Sequence, residues 1–222
     1  MARDAVQHRW PWILVLAGFG FIVSAVSTAM LELDRAVFVA IWAVGAIVAW
    51  RLYASRTRIS IRTQLERRWL SGLIVGVVTG AILIMTVLRQ AGSDAPRGMP
   101  LLAQGLWFGL VYGIVDAVML SILPVLILYA GRPAADLQDP IGRLRWAAAA
   151  LLGSAVVAAA YHAGFREFQD ASLLGPVIGN LVITFSYLAS GSPIAPLLAH
   201  VMMHLAALLH GPATALQLPP HY

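Results

Sequence analysis

Polar side chains inside apolar segments are the residues of this sequence that could carry chemistry. Asp116 lies midway along one apolar stretch, His162 lies on the next, and His200 and His204 lie four residues apart on the last one. A charged group at the centre of a membrane helix costs roughly 3 kcal/mol, so each such residue needs a partner or a function. The rest of this set is Gln104, Asn180 and, near one interface, Glu167.

The spacing of His200 and His204 predicts that their imidazoles share one helix face, about 6 Å apart along the axis. With His162 from another segment they form a predicted three-histidine cluster, and Asp116 is the carboxylate that could join it. We therefore take Asp116, His162, His200 and His204 as candidate catalytic residues. The three histidines are also candidate ligands of a divalent metal, and two of them could hold heme. A protonated Asp116 bonded to a neighbouring helix, and imidazoles bonded to backbone carbonyls, are the structural alternatives.

The composition predicts the environment of these residues. The chain has 222 residues, of which 60% are hydrophobic and 11% charged, whereas soluble domains carry about 25% charged residues. So apolar a chain needs the lipid bilayer as its solvent, and its segments predict an all-α, polytopic transmembrane bundle. About seven membrane segments are expected, at 10–31, 36–53, 69–88, 101–130, 146–165, 173–189 and 193–209.

The arginines predict the orientation of the chain. With the N-terminus inside, eleven of the 15 basic residues, all of them Arg, fall on the inner side and four on the outer side. This bias favours an integral protein of a prokaryotic plasma membrane with a cytoplasmic N-terminus. Arginines placed between apolar segments also argue against a nucleic-acid partner. Because the chain has no Cys, thiolate metal sites and a Cys nucleophile are excluded.

We interpret residues 1–222 as a single membrane domain. Residues 10–68 form a two-helix scaffold with a basic cytoplasmic loop, and 69–222 form the helical core, where buried polar residues are concentrated. Glycines recur at helical spacing in two segments of that core and predict close helix packing. They are Gly72, Gly76 and Gly80, followed by Gly105, Gly109 and Gly113.

Three stretches of the core resemble a known family. They are AYHAGF at 160–165, GPVIGN at 175–180 and GSPIAPLLAH at 191–200. They are similar to the C-terminal core of the CPBP family, the CAAX-processing and bacteriocin-processing intramembrane endopeptidases. The resemblance implies that His162 and His200 match the family's two histidines, and that they approach each other across a helix interface with His204 and Asp116 nearby.

The sequence departs from the family in its acidic motif. The family has a pair of glutamates followed by an arginine, and its glutamate is thought to activate water; here Asp116 is the best counterpart and lacks those supports. His204 stands in place of an Asn, and Ala158 in place of a Phe. Because a lone Asp buried in lipid is a poor base, we expect weak or absent cleavage of CAAX-type peptides.

Two other functions stay open beside a CPBP-like protein acting on a small-molecule or peptide substrate. One is a non-catalytic accessory subunit of a larger membrane complex, with other membrane subunits as partners. The other is a protein that binds heme, a pigment or a metal. The depths of the histidines also conflict, because His162 lies far along its helix from the basic side while His200 lies about 10 Å beyond Pro193. They meet only if a segment is re-entrant or a boundary differs.

Overall fold

The computed structural model describes residues 9–57, 61–66, 68–130, 138–213 and 215–218, and these residues form a bundle of helices without strands. The helices are α1 (Arg9–Ser24), α2 (Arg35–Thr57), α3 (Ile61–Glu66), α4 (Trp69–Val87), α5 (Met99–Tyr129), α6 (Pro140–Ala163), α7 (Leu174–Ser190) and α8 (Ile194–His210). A π-helical segment, Ala25–Met30, extends α1, and α5 alternates between α and π geometry. Two 3₁₀ turns, Arg166–Phe168 and Ala171–Leu173, lead into α7.

The apolar helices confirm the predicted all-α membrane architecture. Six of them are long and apolar enough to cross a bilayer, when α1 is taken with its π-helical extension and α7 with the 3₁₀ turn before it, and α8 is apolar but shorter, with 17 residues. All seven predicted segments are therefore helices within the described residues. A helix of that length covers about 25 Å, slightly less than the ~30 Å hydrocarbon core.

The start of α6 lies before the predicted segment. The apolar run begins at Trp146, but the helix begins at Pro140 because Asp139 caps it. The Asp139 carboxylate accepts hydrogen bonds from the backbone N–H groups of Ile141 at 3.1 Å and Gly142 at 2.8 Å. An acidic N-cap followed by Pro at the first helical position is a strong helix start, and it does not depend on an apolar run.

Arginines mark one end of the bundle, which we call the basic end. There the guanidinium of Arg9 lies 4.9 Å from the ring centre of Trp146, and that of Arg56 lies 5.5 Å from the ring centre of Trp12. The side chain of Arg68 packs against Gly191 in the turn between α7 and α8. The basic end therefore brings together the starts of α1, α4, α6 and α8 and the end of α2.

The opposite end of the bundle is joined by polar contacts between its loops. Arg166 forms an ion pair of 3.4 Å with Glu32 and also donates to the carbonyl of Ala29. His210 Nε2 donates to the carbonyl of Gln90 at 2.9 Å. The C-terminal ends of α6 and α8 thus lie at the same end of the molecule.

Both glycine rows pack against α8. A side chain on Gly76 of α4 would meet the backbone of Ala195 at 3.0 Å, and one on Gly113 of α5 would meet the Cα atom of Val201 at 2.9 Å. Gly80 and Gly109 contact Met202 and Leu205 in the same way. These contacts confirm the packing role of the glycines and fix α8 between α4 and α5.

A buried cluster of hydroxyl and amide groups joins α5, α6 and α7. Asn180 Nδ2 donates to Ser154 Oγ at 2.8 Å, and Ser154 Oγ lies 2.6 Å from Thr184 Oγ1. Ser121 Oγ donates to Asn180 Oδ1 at 3.1 Å and accepts from Thr184 at 2.9 Å. Asn180 therefore has a structural role, since its buried amide is bonded within this cluster.

Candidate metal centre

Three of the predicted site residues meet at the centre of the bundle. Asp116 lies midway along α5, and His200 and His204 lie one turn apart on α8. Their side chains are buried, with exposed fractions of 4%, 3% and 2%. One potential ligand atom from each lies within 4.8 Å of those from the other two, and the described residues contain no other such group.

The separation of Asp116 and His204 matches the geometry of a shared metal ion. His204 Nε2 lies 3.4 Å from Asp116 Oδ2. Two ligands bound to zinc at about 2.0–2.1 Å stand roughly 3.3 Å apart in a tetrahedral site. This pair is therefore already spaced as two zinc ligands, and a ligand atom of His200 lies within 4.8 Å of both.

The ring nitrogens of both histidines lack hydrogen-bond partners. Nδ1 and Nε2 of His200 and of His204 are buried and bond to no other described residue. The 3.4 Å contact with Asp116 is close enough for an ion pair but does not have hydrogen-bond geometry. Leaving a buried polar atom without a partner costs about 1–3 kcal/mol of stability. We therefore expect a ligand, an ion or water to bind these nitrogens.

Trp42 orients the carboxylate, and its role is not evident from the sequence analysis. Its indole N–H donates to Asp116 Oδ1 at 2.8 Å, which leaves Oδ2 on the side of His204. The indole is fully buried and stacks on Tyr161 with ring centres 4.7 Å apart. The sequence does contain one signal of this role: Trp42 lies midway along an apolar segment, where a buried indole N–H needs an acceptor.

Two tyrosines complete the wall around the carboxylate and His204. The Tyr112 and Tyr161 hydroxyls lie 2.8 Å apart. The ring of Tyr112 lies 4.7 Å from the ring of His204. The hydroxyl contact joins α5 to α6, and Trp42 of α2 packs on Tyr161, so three helices enclose this side of the site.

His162 lies near this site but is not part of the ligand group. It lies in the last turn of α6, and its Nδ1 lies 2.8 Å from the carbonyl oxygen of Ala158. A carbonyl only accepts, so Nδ1 carries the hydrogen and Nε2 of the neutral ring keeps its lone pair. The structure thus brings together Asp116, His200 and His204, and places His162 on the wall of the same cavity.

That cavity has a volume of about 410 Å³ and contains all four predicted residues in its wall. Its other walls are mostly apolar and come from α4 and α7, from the loop after α6 and from residues 216–218. Gly175 and Gly179 of α7 border the cavity, and a side chain added to either would meet no atom within 4 Å. The neighbouring residues Ile82 and Ile178 are exposed on the outer surface, so the cavity is open toward the lipid between α4 and α7.

The remaining polar residues of the sequence analysis lie outside the ligand group. Gln104 lies on α5 and is half-buried, and the backbone carbonyl of Glu167 accepts a hydrogen bond from the Ser172 hydroxyl. Comparison of the chain with known protein families, with curated proteins and with solved structures finds no match.

Proposed function

We propose that this chain is an integral membrane hydrolase that uses a divalent metal ion, of which zinc fits best, bound by Asp116, His200 and His204. The observation that carries the proposal is a buried carboxylate beside four imidazole nitrogens without partners. Two nitrogen ligands and one oxygen ligand, with a further position left for water or substrate, form the ligand set of catalytic zinc sites. Here Asp116, His200 and His204 all line a cavity of substrate size.

The residues around the ion support a hydrolytic reaction. Bound zinc would polarise an acyl carbonyl and lower the pKa of water. His162 has a free Nε2 lone pair and lines the cavity, so it is our candidate general base. In the proposed reaction the water oxygen bonds to the acyl carbon and the bond from that carbon to the leaving oxygen or nitrogen breaks. His162 takes a proton from the water and passes it to the leaving group.

The walls of the cavity favour an amphiphilic substrate. They are largely apolar, and the cavity opens beside Gly175 and Gly179 toward the lipid-facing surface. A molecule with an apolar chain could therefore reach the site from the bilayer. The substrate class that we propose is an acyl ester or amide that resides in the membrane.

The family resemblance remains a proposal, which the cavity supports. His162, Gly175 and His200, one residue from each of the three similar stretches, line the same cavity. In place of the family's glutamate pair, Asp116 approaches His204 and accepts from Trp42. A carboxylate used as a metal ligand is not free to act as the family's glutamate does, so weak or absent cleavage of prenylated CAAX peptides by that route is still expected.

The positions of the histidines favour a single metal ion over heme. Two axial ligands must approach heme iron from opposite sides of the macrocycle. His200 and His204 project from one face of α8, and their rings stack with centres 5.8 Å apart. A role as an accessory subunit does not by itself account for the unpartnered nitrogens.

The hydrolase proposal is tested with purified protein in lipid nanodiscs and two substrates, a long-chain acyl ester and a prenylated CAAX peptide. We expect ester hydrolysis that a chelator abolishes and zinc restores. The variant His162→Gln should lose about 10²-fold or more in rate while keeping its zinc, because general acid–base catalysis contributes that much. His210→Ala is the matched control, since His210 does not line the cavity.

Two outcomes would contradict the proposal. Ester hydrolysis that is unchanged by metal removal would exclude a metal-dependent reaction. Zinc binding without hydrolysis of either substrate would overturn the enzymatic function and favour a role in metal binding.

A further inference from the structure

A second, larger cavity lies on the other side of α5 and α8 from the histidine site. This groove has a volume of about 860 Å³ and is lined mainly by apolar side chains of α2, α5 and α8. On α5 its lining extends from Leu110 to Leu126, a distance of about 24 Å along the helix. Exposed residues such as Ile47 and Ile114 border it, so the groove is open to lipid and long enough for an acyl chain of one leaflet.

One end of the groove has a positive charge. Arg51 of α2 and Gln64 of α3 line it at the basic end, and Arg51 is the only charged residue of its described lining. Arg51 is exposed and forms no ion pair or hydrogen bond with the described residues. The neighbouring Arg56 differs because its guanidinium lies over Trp12. An unpaired guanidinium beside an apolar groove is complementary to an anionic headgroup with an apolar chain.

We infer that this groove binds an anionic phospholipid, with one acyl chain along α5 and the phosphate at Arg51. Guanidinium groups bind phosphate oxygens through two parallel N–H donors, and basic side chains at the membrane surface attract anionic lipids. Gln64 adds an amide donor at the same end of the groove. The site is independent of the proposed hydrolase, because α5 and α8 separate it from Asp116 and the histidines.

The inference is tested by native mass spectrometry of the full chain after delipidation and return of defined lipids. The probes are phosphatidylglycerol, which is anionic, and phosphatidylcholine, which is zwitterionic. We expect retained phosphatidylglycerol on the natural chain, with affinity about fivefold lower in Arg51→Gln. Arg56→Gln is the matched control and should bind like the natural chain. Ile114→Trp, which fills the groove without changing charge, should also lower binding.

Each result has a defined meaning. Selective loss in Arg51→Gln and Ile114→Trp supports the site. Equal retention of both lipids by the natural chain would overturn it. Equal losses of phosphatidylglycerol binding in Arg51→Gln and Arg56→Gln would also overturn it, because they would indicate general attraction to the basic end. Unchanged binding in Ile114→Trp would overturn it as well.

Discussion

Asp116 occupies an unusual environment for a carboxylate because its two oxygens face different partners. Oδ1 accepts from the indole of Trp42, while Oδ2 lies 3.4 Å from His204 Nε2. Donors that hold one side of a metal ligand fix the direction of the other side, and their loss typically lowers metal affinity by about 10–100-fold. Trp42 is therefore a positioning residue for the proposed metal.

We predict that Trp42→Phe weakens zinc binding by about 10–100-fold and leaves the fold intact. Phe retains an aromatic ring to stack on Tyr161 but cannot donate to Asp116. Competition with a zinc chelator of known affinity measures the effect. Trp107→Phe is the control, because the Trp107 indole donates to the Ala36 carbonyl at 3.1 Å away from the site. Equal zinc affinity of Trp42→Phe and Trp107→Phe would show that Trp42 does not position the metal ligand Asp116.

The site residues differ in how far the sequence could predict them. Asp116, His200 and His204 were predicted because a polar group at bilayer depth is costly, and this cost can be read from the residue type alone. The contact of Trp42 with Asp116 could not be predicted in this way, since a tryptophan within an apolar segment indicates that its indole needs an acceptor but not which acceptor. The role of His162 depends on the hydrogen bond to Ala158, which fixes its tautomer and is not visible from spacing.

Among the helices, α8 contributes most to the candidate metal site because it carries both His200 and His204. The glycine rows at 72–80 and 105–113 predicted close packing, and both of them contact α8. Small residues show that a helix can approach closely but do not identify the partner, so this arrangement needed the structure. The start of α6 was missed for a different reason. Its first two turns include Gly142, Arg143 and Arg145 and are fixed by the Asp139 cap, whereas the prediction followed the apolar run that begins at Trp146.

If substrates enter the cavity between α4 and α7, a larger side chain at that opening should slow their access. Gly179→Leu should slow ester hydrolysis several-fold, because its side chain would extend into the open space beside Gly179. It should also slow the removal of zinc by a lipid-soluble chelator, while the zinc content stays unchanged. Gly18→Leu is the matched control, since Gly18 is exposed on α1 and also has no atom within 4 Å of an added side chain.

The access route would be contradicted if chelation and hydrolysis proceeded at the natural rate in Gly179→Leu. A loss of both in Gly18→Leu would show that any larger side chain on the surface disturbs the protein.

In the whole bundle, His162 and the two histidines of α8 meet at one cavity because α6 and α8 end at the same side. His162 lies one residue before the end of α6, whereas His204 lies six residues and His200 ten residues before the end of α8. By the helical rise, His162 therefore differs in depth from His204 by about 8 Å and from His200 by about 14 Å. All three residues line the same cavity. Distances along the sequence from the basic end exaggerate the difference, because the 24-residue α6 is longer than the 17-residue α8.

The orientation of the bundle remains a prediction that the arginine distribution supports. The chain has no Cys, so single cysteines can be introduced without further changes. We expect Ser55→Cys, exposed near the basic end, to react with a membrane-impermeant maleimide only after the cells are opened. Asp94→Cys, exposed between α4 and α5, should react in intact cells. The reverse pattern would place the N-terminus outside.

Zinc content combined with zinc-edge X-ray absorption of the purified protein tests whether Asp116, His200 and His204 bind a metal ion. We expect one zinc ion per chain, with two imidazole nitrogens and one carboxylate oxygen as its protein ligands. That ion should be lost in His204→Ala and Asp116→Asn and retained in His210→Ala. If the natural chain binds no zinc at micromolar concentrations, or if His204→Ala binds zinc equally well, the proposed metal site is wrong.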